Sequence, residues 1–133
     1  MIAFFYAHSG LRYLVLLMGL VVMLHAAFRL SRGRGYDDTA RHLAAAFAAI
    51  VDVQVLLGII LVFTRPFYPA LIGHIVLMVA AAGVVHANAI INKRRPPGQR
   101  SIGLQLSLTG LTLLLMTAGI LAIGRGILET SIR

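Results

Sequence analysis

Residues 1–28 read MIAFFYAHSGLRYLVLLMGLVVMLHAAF, an almost unbroken apolar run that carries two histidines and one arginine. An apolar run longer than about 20 residues predicts a helix that crosses a lipid bilayer. The run has no basic N-terminal region and exceeds the usual length of a signal-peptide core, which favours a retained helix over a cleaved signal. His8, Arg12 and His25 therefore lie where charge is costly, and their presence needs a physical explanation.

The composition of the whole chain is that of a membrane protein. Its 133 residues are 59% hydrophobic and 12% charged, with a mean hydropathy of +0.91, whereas a soluble domain carries about twice that share of charge. The absence of cysteine excludes disulfides, thiolate-held iron–sulfur clusters, covalently attached c-type haem and cysteine zinc sites. The formal charge of +8 lies mainly between apolar runs, so it indicates membrane orientation and not nucleic-acid binding.

Four apolar runs are long enough to span a bilayer, and they cover residues 3–29, 43–64, 70–92 and 102–124 approximately. Because no water inside a bilayer can satisfy backbone polar groups, each run is predicted to be helical. The connections between the runs are short, which favours antiparallel neighbours. The sequence thus predicts an all-α integral membrane protein, a four-helix up-down-up-down bundle that forms a single transmembrane domain over residues 1–133.

The basic residues are distributed unequally between the two ends of this predicted bundle. The first and third connections together contain Arg29, Arg32, Arg34, Arg41, Lys93, Arg94, Arg95 and Arg100. The opposite end contains Arg65, Arg125 and Arg133. The positive-inside rule therefore places the first and third connections in the cytoplasm and both termini in the periplasm, in a bacterial inner membrane.

Two histidines are predicted to meet inside the bundle. His8 lies about five residues into the first run and His74 about four into the third, and these two runs point the same way. In an up-down bundle the first and third helices are diagonal neighbours across the core. Two level imidazoles on such helices can supply both axial ligands of a haem iron, so we interpret His8 and His74 as ligands of one b-type haem.

Residues beside these histidines fit the same interpretation. Arg12 lies one turn deeper than His8 on the same face, where its guanidinium could neutralise a haem propionate. Ser9, Gly10 and Gly73 keep the adjacent helix surfaces thin, as a planar macrocycle requires. Two alternatives remain open. The histidines could only form hydrogen bonds to a neighbouring helix, with no cofactor, or one of them could bind a chlorophyll, which needs a single imidazole.

A second haem between His25 and His86 is disfavoured by helix geometry. His25 follows His8 by 17 residues and His86 follows His74 by 12. At 100° and 1.5 Å per residue, His25 and His86 do not lie on the same helix faces as His8 and His74. Their distances along the two helices from His8 and His74 also differ. The sequence predicts one haem at most.

Asp52 and Gln54 are polar residues in the second run. Asp52 lies near its middle, so an ion pair with Arg12, with Gln54 nearby, would explain both charges structurally. His86, approaching from the cytoplasmic side, is the alternative partner of Asp52. A proton path or a quinone contact through Asp52 is the functional alternative.

Three stretches together resemble a family of small four-span bacterial membrane proteins known as cytochrome b-like. They are HSGLRYLVLL at 8–17, DVQVLLGIILVF at 52–63 and GHIVLMVAAAGVVHA at 73–87, and a basic break precedes the fourth run. The resemblance extends over nearly the whole chain and implies haem ligation by His8 and His74, with His86 as a second family histidine in the third span. Members of this family often carry histidine where Asp52 stands here.

Two classes of function follow from the sequence. The first is an electron-transfer subunit that passes electrons between a quinol or another subunit and an external acceptor. The second is a non-redox accessory subunit packed against a larger respiratory or photosynthetic membrane complex through its small-residue faces. We expect either of these in preference to a stand-alone enzyme, because the chain has no nucleophile–base arrangement and no phosphate-binding loop.

Overall fold

The computed structural model describes residues 2–128, and this part of the chain forms four long α-helices and no strand. The helices are α1 (Ile2–Ser31), α2 (Asp38–Thr64), α3 (Ala70–Arg94) and α4 (Ile102–Ala122), with a short 3-10 turn at Pro97–Gln99. Each of the four is long and apolar enough to cross a membrane. The predicted all-α fold of four apolar helices is confirmed, while Arg133 lies outside the described residues.

Residues at the helix ends explain why the helices do not begin and end where the apolar runs do. The α2 helix begins at Asp38, before the apolar run, because the carboxylate of Asp37 accepts a hydrogen bond from the Ala40 amide at 2.8 Å. At the start of α4 the Ser101 hydroxyl accepts from the Leu104 amide at 3.0 Å. The α4 helix ends at Ala122, shortly before a glycine with positive φ.

The four helices pack in a closed ring, in which α1 and α3 each contact both α2 and α4. At one end of the ring, Ala26 of α1, Ala40 of α2 and Ile102 of α4 form a small buried cluster. The same end is held by Asn92 of α3, whose side-chain amide donates to the Ser101 carbonyl and accepts from the Ser101 amide, both at 2.9 Å. This end is therefore tied by hydrogen bonds as well as by apolar packing.

The middle of the bundle is filled by apolar side chains. The buried residues of this core are Val15, Val22, Phe47, Ala48, Val51, Ala81, Val85 and Met116. Close approach of α1 to α2 and α4 depends on Gly19, since a Cβ built there would lie 2.9 Å from Phe47 Cζ and 2.6 Å from Leu113 Cδ2. The core thus separates the hydrogen-bonded end of the ring from the opposite end, where the candidate site lies.

Replacing Gly19 should test this packing. We expect Gly19→Leu to lower the free energy of unfolding by about 1–3 kcal/mol, because the new side chain overpacks a filled core. The measurement is SDS-induced unfolding in mixed micelles. Gly10→Leu is the matched control, since a Cβ at Gly10 meets no atom within 4 Å. Equal stability of the two variants would contradict the packing described for α1.

Candidate functional site

His8 of α1 and His74 of α3 lie opposite each other at the end of the bundle that the core leaves open. Their ring centroids are 6.5 Å apart and their ring planes are inclined at 78°. The structure thus brings together the two histidines that the depth of the apolar runs predicts to be level. Their role as haem ligands is a separate matter and stays a prediction at this point.

Each of the two rings is fixed by a hydrogen bond to the backbone of the next helix. His8 Nδ1 lies 3.2 Å from the Gln54 carbonyl oxygen of α2, and His74 Nδ1 lies 2.7 Å from the Gly119 carbonyl oxygen of α4. A carbonyl oxygen can only accept, so the proton of each neutral imidazole is on Nδ1. Each Nε2 then carries a lone pair.

The Gly119 carbonyl is available to His74 because it belongs to the last turn of α4. The last four carbonyls of a helix lack an intrahelical partner. The amide of Ile123, which would bond Gly119 if the helix continued, bonds Leu121 instead. His74 therefore satisfies an end carbonyl of α4.

Two glycines outside the predicted site permit close packing beside the rings. A Cβ built at Gly58 of α2 would lie 3.3 Å from His8 Cε1, so this glycine leaves space for the His8 ring. A Cβ built at Gly119 would lie 2.7 Å from Met78 Cε, so Gly119 permits the close approach of α3 to α4 beside His74. By contrast, Gly10 is exposed with nothing near it, and Gly73 lies against Ala122 of α4. The expectation that Gly10 and Gly73 supply the thin surfaces at the site is wrong, because both point away from the paired rings.

Both rings line a cavity of about 420 Å³. This volume is within the usual range for a cofactor or small-molecule site. The lining is mainly aliphatic, and Val15, Val51 and Met116 belong both to it and to the buried core. The cavity therefore stops where the core begins and does not continue along the bundle.

Arg12 also lines the cavity and is 8% exposed. Its Nη2 donates to the Tyr13 hydroxyl at 2.9 Å, and its guanidinium carbon lies 4.8 Å from the centroid of the Tyr13 ring. The predicted position of Arg12 at the histidine site is thus found.

Two further arginines lie at the mouth of the cavity. The guanidinium carbons of Arg65 and Arg125 are 4.3 Å and 5.2 Å from the Phe5 ring centroid, and all three residues line the cavity. Phe5 precedes His8 by about one helical turn. From the sequence both arginines indicate only orientation, although their positions after apolar runs at the His8 end are a signal for the site.

Gln54 ties α2 to α1 beside His8. Its side-chain amide donates to the His8 carbonyl at 2.9 Å, so Gln54 and His8 are joined by two bonds, one through each backbone carbonyl. The Oε1 atom of Gln54 is buried and has no hydrogen-bond partner among the described residues. An acceptor with unused capacity therefore borders the cavity.

Asp52 does not pair with Arg12. Its Oδ1 lies 2.7 Å from Nε2 of His86, which is the alternative partner that the sequence allows. The predicted Arg12–Asp52 ion pair is wrong for a geometric reason. Val51 and Gln54 lie on the inner face of α2 and line the cavity, whereas Asp52 projects from a different face.

His25 lies apart from the other histidines. It is half-buried on α1, and its Nδ1 is buried without a hydrogen-bond partner among residues 2–128. His86 is held by Asp52, so the structure does not bring His25 and His86 together as a second ligand pair.

The described residues contain no group of three or more His, Asp or Glu side chains that could enclose a metal ion by themselves. Two imidazoles are nevertheless sufficient for an iron whose other four ligands come from a porphyrin. The donor set, the lone pairs on Nε2 and the aliphatic cavity fit a haem, and the arginines at its mouth fit the haem carboxylates.

Comparison of the chain with family models, with curated proteins and with solved structures gives no significant match.

The tautomers of the paired histidines can be tested directly. In haem-free protein with ¹⁵N-labelled histidine, we expect the rings of His8 and His74 to be protonated on Nδ1, because both nitrogens donate to carbonyl oxygens. Single His8→Gln and His74→Gln variants should each remove one of these signals. His42→Gln is the control, since His42 is exposed and should contribute no such signal. Protonation of both rings on Nε2 would contradict the site geometry.

Proposed function

We propose that this protein is a membrane electron-transfer subunit of the cytochrome b type, which holds one b-type haem between His8 and His74. The observation that carries the proposal is the separation of 6.5 Å between two imidazole rings whose Nδ1 atoms are already bonded to carbonyls. A haem bound there would supply one-electron chemistry by cycling between ferric and ferrous iron.

The ring separation supports ligation of a single metal ion from both sides. Imidazole nitrogens bind transition metals at about 2 Å, and a ring centroid lies roughly 1.1 Å behind its nitrogen. Two axial imidazoles therefore have centroids about 6.2 Å apart, close to the 6.5 Å between His8 and His74.

The hydrogen bonds to Gln54 and Gly119 supply what a metal-bound histidine needs outside its metal bond. Such a histidine generally donates its second N–H to a carbonyl or a carboxylate, which fixes its orientation and increases its basicity. Here His8 and His74 each make that bond within the protein. These bonds would hold the two rings in position for ligation.

The arginines at the mouth of the cavity support a haem whose carboxylates would lie there. Arg65 and Arg125 lie beside Phe5 at the mouth of the cavity, and Arg12 is one turn deeper than His8. Carboxylates are stabilised by guanidinium groups and by proximity to water. Arg65 and Arg125 would hold the two carboxylates, and Arg12 would add positive charge on the inner side.

The membrane arrangement belongs to the same proposal. Contacts between His8 and Gln54, between Ala26 and Ala40, and between His74 and Gly119 support consecutive helices of opposite direction. With the first and third connections in the cytoplasm, the chain is an up-down-up-down bundle in the bacterial inner membrane with both termini in the periplasm. The subunit would then pass electrons, near the periplasmic side, between a quinol or another membrane subunit and an external acceptor.

An optical spectrum tests this function. We expect haem added to the purified protein to give a low-spin spectrum with a Soret band and a reduced α band. His8→Ala and His74→Ala should each abolish it, because one axial ligand is lost. His25→Ala is the matched control, since His25 is a histidine of the same helix that lies outside the cavity. The nearly perpendicular rings should also give a strongly anisotropic ferric EPR signal.

A folded protein that takes up no haem would overturn the proposal and leave the accessory-subunit alternative. Helical content and thermal stability, measured by circular dichroism, would show whether a variant is folded. Loss of the spectrum in His25→Ala but not in His8→Ala would also contradict the assigned ligands.

The arginines at the mouth should control the midpoint potential. We expect Arg65→Gln and Arg125→Gln to lower it by roughly 20–70 mV each, because a nearby cation favours the less positive ferrous state. Potentiometric titration with retained haem is the measurement. Arg32→Gln is the control, since Arg32 lies in the connection at the opposite end. Equal shifts in all three variants would contradict a specific role for Arg65 and Arg125.

A further inference from the structure

The hydrogen-bonded pair of Asp52 and His86 lies on the outer surface of the bundle, in the groove between α2 and α3. The side chains are 57% and 44% exposed, although Asp52 is at the middle of α2 and His86 is within the apolar part of α3. Ionisable residues within membrane helices almost always face the protein interior or a water-filled cavity. An outward-facing pair at this depth therefore requires a partner outside the chain.

The pair retains unused hydrogen-bonding capacity. The bond of 2.7 Å joins Oδ1 of Asp52 to Nε2 of His86. Among the described residues, Oδ2 of Asp52 and Nδ1 of His86 make no hydrogen bond. When the pair is neutral overall, which lipid favours over a net charge, Nδ1 of His86 is a free donor and Oδ2 of Asp52 is a free acceptor, wherever the shared proton lies between Oδ1 and Nε2.

This combination is complementary to itself. In a two-fold arrangement the Nδ1–H of His86 in one copy can donate to Oδ2 of Asp52 in the second copy, and the reciprocal bond forms at the same time. Two pairs then satisfy each other and remove all four groups from lipid. A contact of this kind uses the same patch on both molecules, as a closed dimer requires.

The surroundings of the pair permit close approach of another helix. Ala45 and Ala49 lie on the same face of α2 as Asp52, and Gly83 lies one turn from His86 on α3. All three are exposed, and a Cβ built at Gly83 meets no atom within 4 Å. Small residues let membrane helices pack backbone to backbone, which brings short polar side chains within bonding distance.

We infer that the α2–α3 face, defined by Ala45, Ala49, Asp52, Gly83 and His86, binds a second copy of this chain, with the Asp52–His86 pairs of the two copies bonded to each other. The inference is independent of the haem proposal, because it concerns a different face of the bundle. A quinol head group that enters from the lipid is the competing occupant of the same polar pair, and the experiment distinguishes it.

Disulfide cross-linking tests the interface, and the chain is suited to it because it contains no cysteine. Single Gly83→Cys and Ala49→Cys variants should form covalent dimers in native membranes under mild oxidation, several-fold more than Leu114→Cys. Leu114 is the matched control, since it is 70% exposed on α4. A disulfide requires Cα atoms within about 7 Å, so cross-linking at the designated face reports close helix approach.

A second measurement separates dimerisation from internal stability. The double variant Asp52→Leu with His86→Leu removes two costly groups from lipid, so an isolated monomer should remain folded. We expect its dimer dissociation constant, measured by energy transfer in liposomes, to rise about tenfold or more, because two interhelical hydrogen bonds are lost. Single Asp52→Asn and His86→Gln variants should give smaller increases.

Three results would overturn the inference. The first is cross-linking at Gly83 and Ala49 no greater than at Leu114. The second is an unchanged dimer fraction in the double leucine variant. The third is a monomeric wild-type protein whose affinity for added ubiquinone falls in that variant, which would assign the pair to a quinone head group.

Discussion

Each cavity histidine donates its Nδ1 proton to a backbone carbonyl of the neighbouring helix, and the rest of the site depends on these two bonds. They orient the rings, select the tautomer that leaves Nε2 with a lone pair, and join α1 to α2 and α3 to α4. Such bonds are effective in a bilayer because little water competes for the donors and acceptors. In the proposed function the same bonds would serve both the structure and the binding of the cofactor, so the site would need few additional polar residues.

Much of the fold and part of the site could be predicted from the sequence, since both depend on position along a helix. Apolar run lengths give the four helices, and residue counts from a common interface give the equal depth of His8 and His74. Gly58 and Gly119 could not be identified in this way. Their importance comes from contacts between different helices, which depend on rotation and crossing geometry and not on spacing within one run.

The partner of Asp52 is a second feature that depends on helix rotation and not on spacing along one run. Its depth is compatible with both Arg12 and His86, so the sequence leaves two partners open. Only the rotation of α2 decides between them, and it directs Gln54 inward and Asp52 outward. The assumption that membrane helices hide their charges inside the bundle favours Arg12, and it fails because Asp52 is paired with His86 on the outer surface. A charge that is exposed on a monomer can be buried in an assembly.

The two halves of the bundle differ in packing. The half near the first and third connections is filled by Phe47 and Val22 and is tied by the Asn92–Ser101 bonds. The other half retains a cavity, at the cost of the dispersion contacts that filled space would provide. A chain of four helices can tolerate that cost at one end because the packed half holds the helix axes in place. A second cavity of the same size would displace the core itself, so the packing favours a single cofactor site independently of where His25 and His86 lie.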